Sequence, residues 1–253
     1  MHLIVDHPVR LLIATFLVLW AAARAGVPLA ARLGPLDAEK REDFNVVLGV
    51  TLTLLGLIIG FSFSMATNRY DQRKAFEEAE ANAIGTAYAR ADLLPAGASV
   101  QVKALLKGYA DLRVQDYQVS EPAELTVIEA RTAATQAKLW TAVVSPATAQ
   151  PTPLTALAVT AINDVLNAQG YTQAAWWNRI PAGAWTLLFA ISAFASLLIG
   201  YGSRAAQRER LLFLILPGVV AISLFLIADI DSPRGGVIRI VPQNLIALAA
   251  SLP

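Results

Sequence analysis

Few residues in this chain could do chemistry, and the best spaced of them lie along one stretch. Gly49, Thr53, Gly56, Gly60 and Ser64 follow at steps of four, three, four and four. On a helix those steps put small or hydroxyl side chains on one face. Such a notched face lets a second helix approach closely. Alternatively this face, or the one beside it carrying Leu57 and Phe61, lines an aqueous pore. Residue types leave both uses open. Arg69 is the charge nearest the end of the stretch. It is either an interfacial anchor, paired with Asp71 or Asp231, or an attractor of anions at a pore mouth.

Other chemistry finds little support. Asp229 and Asp231 offer two carboxylates at the end of an apolar run, as a cation site or as caps of the turn at Pro233, with Arg234 as an ionic partner. Two carboxylates fall short of the roughly six to eight oxygens that calcium takes, so no metal is expected and the pair remains a weak candidate. The histidines are His2 and His7, both in the leader. They read as solvated helix-end residues rather than as ligands. No Gly-x-Ser-x-Gly, His-Glu-x-x-His or phosphate-loop pattern occurs. Neither enzyme activity nor a cofactor is expected. Cysteine is absent, which removes disulfides and thiol nucleophiles. A net charge of +1 argues against a nucleic-acid partner.

The elements that hold these residues follow from hydropathy. Of 253 residues, 56% are hydrophobic and 15% charged, well below the roughly 25% charged of soluble domains. The mean hydropathy is +0.52, and the apolar residues come in blocks. The lipid bilayer is therefore the solvent of these blocks. A first span is expected over about 8–30, its Arg10 and Arg24 reaching the interfaces. Ala21-Ala22-Ala23 also resembles the end of a secretory signal, a reading ranked second. A polar connector, 31–43, precedes the second span. No charge occurs between Asp43 and Arg69, enough for a helix to cross a bilayer. The following residues to about 93 are charged, rich in alanine and free of proline, so the helix continues into water.

Residues 67–180 carry ten Lys/Arg and eleven Asp/Glu. Prolines 95, 122, 146, 151 and 153 are read as breaks, giving helices over about 67–94, 98–118, 122–144 and 153–169. Asn68, Asn82 and Thr86 are either hydrogen-bonding positions or exposed ones. Trp176, Trp177 and Trp185 mark an interface. A third span over 182–202, a basic turn at 204–210 and a fourth span over about 211–228 follow. Pro217 lies inside the last of these. A final apolar helix, about 244–252, rests on the membrane or on the polar domain. The chain thus divides into 1–66, 67–180, 181–230 and 231–253. It is an all-α membrane protein of four spans, with a helical polar domain between spans two and three. Seven basic residues flank the membrane on each side, Arg24, Arg32, Lys40, Arg41, Arg204, Arg208 and Arg210 against Arg10, Arg69, Arg73, Lys74, Arg179, Arg234 and Arg239. Charge therefore does not orient it.

Gly60-Phe61, then Arg69-Tyr70, then an acidic helix, resembles the second span of the bestrophin anion channels, which has a Gly-Phe pair, a short apolar stretch and an Arg-aromatic pair at the membrane exit. GFSFSMATNRYDQR (60–73), EANAIGTAYARADLLP (80–95) and DIDSPRGGVIRI (229–240) are more closely similar to the bacterial bestrophin-like group termed domain of unknown function 4239. The resemblance implies a homo-oligomer, a pentamer, in a bacterial cytoplasmic membrane, conducting small anions. It carries the family's apolar neck onto Thr53, Leu57 and Phe61, with Thr53 departing from the bulky apolar residue usual there. It puts Arg69 at the vestibule. Animal bestrophins bind calcium through an acidic cluster after the fourth span; here only Asp229 and Asp231 stand there. A channel lined by the second span is the leading expectation. The alternative is a non-conducting scaffold or sensor whose helical domain binds a protein.

Overall fold

The computed structural model describes residues 7–34, 36–203 and 212–253, with Leu212 by its backbone alone. Every element among the described residues is helical. His7 is exposed just ahead of the first helix, while His2 and the basic turn 204–210 lie outside the described residues.

Helix α1 is Pro8–Leu33, with a proline in its first turn, where the missing N–H removes no helical bond. Helix α2 is Ala38–Arg90, 53 residues without interruption. It begins earlier than the connector 31–43 suggests. Asp37 supplies the start, its Oδ1 accepting the Lys40 N–H at 2.9 Å. A short 3-10 turn, Ala91–Leu93, leads to α3 (Ala96–Gln118), α4 (Pro122–Ala149) and α5 (Pro153–Trp177). Then come α6 (Ala182–Gly202), α7 (Leu212–Asp231) and α8 (Gln243–Ser251).

Two expected boundaries move. Pro146 does not break α4, which runs on to Ala149. The proline sits near the helix end and removes one backbone bond there, and the Pro146 carbonyl still accepts the Gln150 N–H at 3.0 Å. Helix α5 does not stop near 169 either; it passes Gly170 and reaches Trp177, because Thr172 and Trp176 are buried positions of the same helix. Helix α7 continues through Pro217.

Four helical stretches, in α1, α2, α6 and α7, are long and apolar enough to cross a membrane. By spatial clustering the chain forms two compact units, Met1–Asn68 with Arg179–Ile238, and Arg69–Asn178 with Arg239–Pro253. In the first, α1 packs on α6 and α7. Gly26 and Gly200 make the close crossing: a Cβ on Gly200 would overlap the Ala23 carbonyl, and one on Gly26 the Leu197 carbonyl. Leu55 and Ala66 of α2 join Leu19, Leu188, Leu224 and Ile227 in this core.

The second unit gathers Ile84, Leu106, Leu139, Ile162, Val165 and Leu245 into its own core. Val102, Leu106, Tyr109 and Leu112 of α3 are buried, at steps of four and three that keep them on one face. Helix α8 belongs here: Leu245 is fully buried among these residues. Its amino end is held by Glu77, a buried residue of α2. Glu77 Oε1 accepts the Leu245 N–H at 2.9 Å and Oε2 accepts from Asn244 Nδ2 at 2.7 Å. A carboxylate at a helix amino terminus satisfies an orphan N–H and faces the positive end of the helix dipole. Glu77→Gln keeps the shape but removes the charge and one acceptor. It is expected to weaken α8 docking by roughly 1–3 kcal/mol, read as faster proteolytic cleavage beyond Arg239 with the rest of the polar unit intact.

Candidate functional site

Buried positions of α2 follow one stripe, Leu55, Ser62 and Ala66 in its apolar half, then Arg73, Glu77, Glu80, Ile84 and Ala87, and Ala91 in the turn beyond continues it. Steps of three, four and seven keep them on one side. Gly49, Thr53, Gly56, Leu57, Gly60, Phe61 and Ser64 fall on the rest of the circumference, and all are exposed within one chain. Leu57 is 52% and Phe61 63% exposed. Among the described residues, no atom outside the helix lies within 4 Å of where a Cβ would stand on Gly49, Gly56 or Gly60. Only 11% of the apolar window of α2 is buried, against 28% in α1 and 44% in α7. The chain's own helices thus leave most of this face uncovered. Thr53 spends its hydroxyl proton on its own helix, donating to the Gly49 carbonyl at 2.9 Å. What it presents outward is a methyl group and oxygen lone pairs. Arg69 is half-buried where this stretch ends.

Residues 15–245 match the family of bestrophin-like domains. The chain belongs to the bestrophin-like family. No curated protein matches it. The crystal structure of a bacterial bestrophin homologue from Klebsiella pneumoniae superposes on 97% of this chain and 99% of its own, with a TM-score of 0.63 at 14% identity. A single-site variant of that homologue gives a TM-score of 0.66 at 12% identity, covering 95% of this chain and 97% of its own. At these identities the likeness shows the fold. Family, fold and four apolar helices together make this bestrophin-like chain a multi-pass protein of a bacterial membrane.

The two acids in the last turn of α7 have defined duties in this bestrophin-like domain. Asp229 accepts the N–H groups of Val237 and Ile238 at 2.7 and 2.8 Å, folding the Gly-Gly turn back onto the helix end. A Cβ on Gly236 would meet the Asp229 carboxylate, so the turn closes only around a glycine. Asp231 accepts the Ile180 N–H through both oxygens, at 3.2 and 3.1 Å. Both carboxylates thus hold backbone amides, and no cluster of three or more metal-binding side chains occurs among the described residues.

Sequence reasoning missed a second polar centre, inside the polar unit. Arg113 of α3, 2% exposed, donates its Nε to Glu80 Oε1, a residue with no exposed surface. Its Nη1 lies 3.3 Å from Asp116 Oδ2. Thr172 donates to Glu80 Oε2 at 3.1 Å. Burial opposes the guanidinium's charge, but the two carboxylates outweigh it and raise the pKa of Arg113 above the usual arginine value. Burial, seconded by Glu80, pushes the Tyr109 phenol above its ordinary range. Arg73 donates to the Ala175 and Asn178 carbonyls, at 3.1 and 3.2 Å, closing the end of α5. The available signal was spacing. Arg73, Glu77 and Glu80 continue the buried stripe of α2. Asn68, Asn82 and Thr86 are exposed.

Proposed function

We propose that this protein is an oligomeric ion channel whose pore is lined by α2. The observation that carries it is the uncovered face of α2. A charge-free apolar helix packs one stripe into its own chain and leaves Thr53, Leu57 and Phe61, with the adjoining glycines, for something else. Membership of the bestrophin-like family supports conduction rather than catalysis. In this reading residues 1–66 and 181–230 are the membrane part, 67–180 the polar domain and 231–253 its tail. Five copies surround one axis, small anions pass, and no cofactor takes part. Leu57 and Phe61 narrow the path, while Thr53 loosens the neck because it is smaller and polar. Anion attraction falls to Arg69, since the Thr53 proton is already engaged.

The test is purified protein in a planar bilayer under a chloride gradient. A current whose reversal potential follows chloride is expected, together with a detergent-solubilised particle that is a multiple of the 27.0 kDa chain. A monomer has no axis to line, and with no current it would leave the scaffold alternative in place.

A further inference from the structure

Helix α1 carries a charge inside its apolar length. Arg10 and Arg24 are separated by thirteen uncharged residues, about 20 Å of helix against the roughly 30 Å of a hydrocarbon core. Residues 25–31 beyond Arg24 are again apolar, and the helix runs on to Leu33. Arg24 also faces away from its own chain. Ile13, Leu17, Trp20, Arg24 and Pro28 follow at steps of four, three, four and four, and all are exposed. Buried Thr15 stands nine residues from Arg24, ~180° around the helix. The neighbours Ala23 and Gly26 are the ones that pack, against Gly200 and Tyr201 of α6. Among the described residues no carboxylate pairs with Arg24. The contact it makes is with Trp20, whose ring centre lies 5.9 Å from the guanidinium carbon. A guanidinium left to hydrocarbon is costly, so an outward arginine in a span reaches for water or for an anion at the membrane surface.

We propose that Arg24, with Trp20 beside it, binds the phosphate of an anionic phospholipid. Charge selects the phosphate. A guanidinium matches its oxygens with two parallel N–H donors, and the indole N–H of Trp20 is a further one. The level suits a headgroup. Tyr201, which Gly26 meets, pairs its ring with Phe44 at 5.6 Å, and aromatic side chains collect at the membrane–water boundary. The rest of the line selects an amphiphile. Ile13 and Leu17 continue the Trp20 face and offer apolar surface to acyl chains, whereas a soluble phosphate gains nothing from them. A zwitterionic headgroup brings a cationic group close to the arginine, so net-anionic lipids are favoured. Lys40 is not an equivalent site, because Asp37 already holds its ammonium at 2.8 Å. The site needs neither oligomer nor pore, so it stands or falls independently of conduction.

Native mass spectrometry counts the lipids held by the full-length protein in a neutral detergent. Dioleoyl-phosphatidylglycerol and dioleoyl-phosphatidylcholine test the class, because they share their chains and differ in headgroup charge. Phosphatidylglycerol should be held more tightly, and Arg24→Gln should lower that preference about fivefold, the share of one arginine at a membrane surface. Arg24→Lys keeps the charge without the paired donors and should retain part of it. Lys40→Gln removes the same charge from a base that is already paired and should leave the preference unchanged. Glycerol 3-phosphate, a headgroup without chains, should not compete. The proposal is overturned if the two lipids bind alike, if Lys40→Gln lowers the preference as much as Arg24→Gln, or if glycerol 3-phosphate displaces the lipid. It is also overturned if Arg24→Gln keeps the full preference; should that variant lose its oligomer instead, the anion is a carboxylate of a second copy.

Discussion

Arg113→Met is expected to destabilise the polar unit by about 3–5 kcal/mol, the usual result of removing one partner from a buried ion pair. The guanidinium is the one cation shown between Glu80 and Asp116, and all three side chains are essentially without exposed surface. Methionine fills much of the volume but leaves two carboxylates in the interior with no positive charge between them. Most of the loss is therefore desolvation of the stranded acids rather than the worth of the original pair. Arg113→Lys separates charge from geometry. Lysine keeps the charge but has a single ammonium where arginine directs Nε to one acid and Nη1 to the other, so an intermediate loss is expected. Glu80→Gln with Asp116→Asn, added to Arg113→Met, should recover part of the stability, because neutral amides tolerate burial better than unpaired charges. Thermal unfolding of the purified protein, followed by circular dichroism, checks the order. An Arg113→Met protein as stable as the parent would mean that water reaches this centre freely.

The same centre shows where a sequence becomes opaque. The four spans are legible because a bilayer demands about twenty apolar residues in a row, a requirement written locally. The end of α3 and the starts of α4 and α5 are equally local, set by Pro122 and Pro153. Pro146 misled because a proline near a helix end removes little, and nothing local tells its position from a helix middle. Glu80 and Arg113 are 33 residues apart, and each lies close to solvated charge, Glu78 beside the one and Asp111 beside the other. Charge in an alanine-rich helix ordinarily signals a wet face. Only the register of Arg73, Glu77 and Glu80 with Ile84, Ala87 and Ala91 marks these as buried, and that register needs a known core. The uncovered face of α2 was visible as notches at fixed steps. That the chain's own close helix crossing falls at Gly26 and Gly200 instead, leaving Gly49, Gly56 and Gly60 open, is not written in those steps.

Phe61→Ala and Leu57→Ala are each expected to raise the current severalfold at constant voltage. An apolar ring around a narrow path resists entry of water, and an ion crossing it loses hydration. Trimming a phenylalanine or leucine to alanine widens the ring and admits water. Each 1 kcal/mol removed from such a barrier is worth about fivefold in rate, and the double variant should exceed either single one. Position on the helix makes the experiment specific. Phe63 is also an exposed aromatic, 43% against 63% for Phe61, yet two residues on it points ~160° away around the helix. If the Phe61 face surrounds water, the Phe63 face does not, and Phe63→Ala should leave the current as it was. Equal increases in all three variants would indicate a general loosening of the helix. No increase at Phe61 or Leu57 would mean that these side chains face lipid, whose tails accept a phenylalanine or an alanine with little consequence for ion passage. The comparison thus decides whether the uncovered face of α2 serves water or merely hydrocarbon.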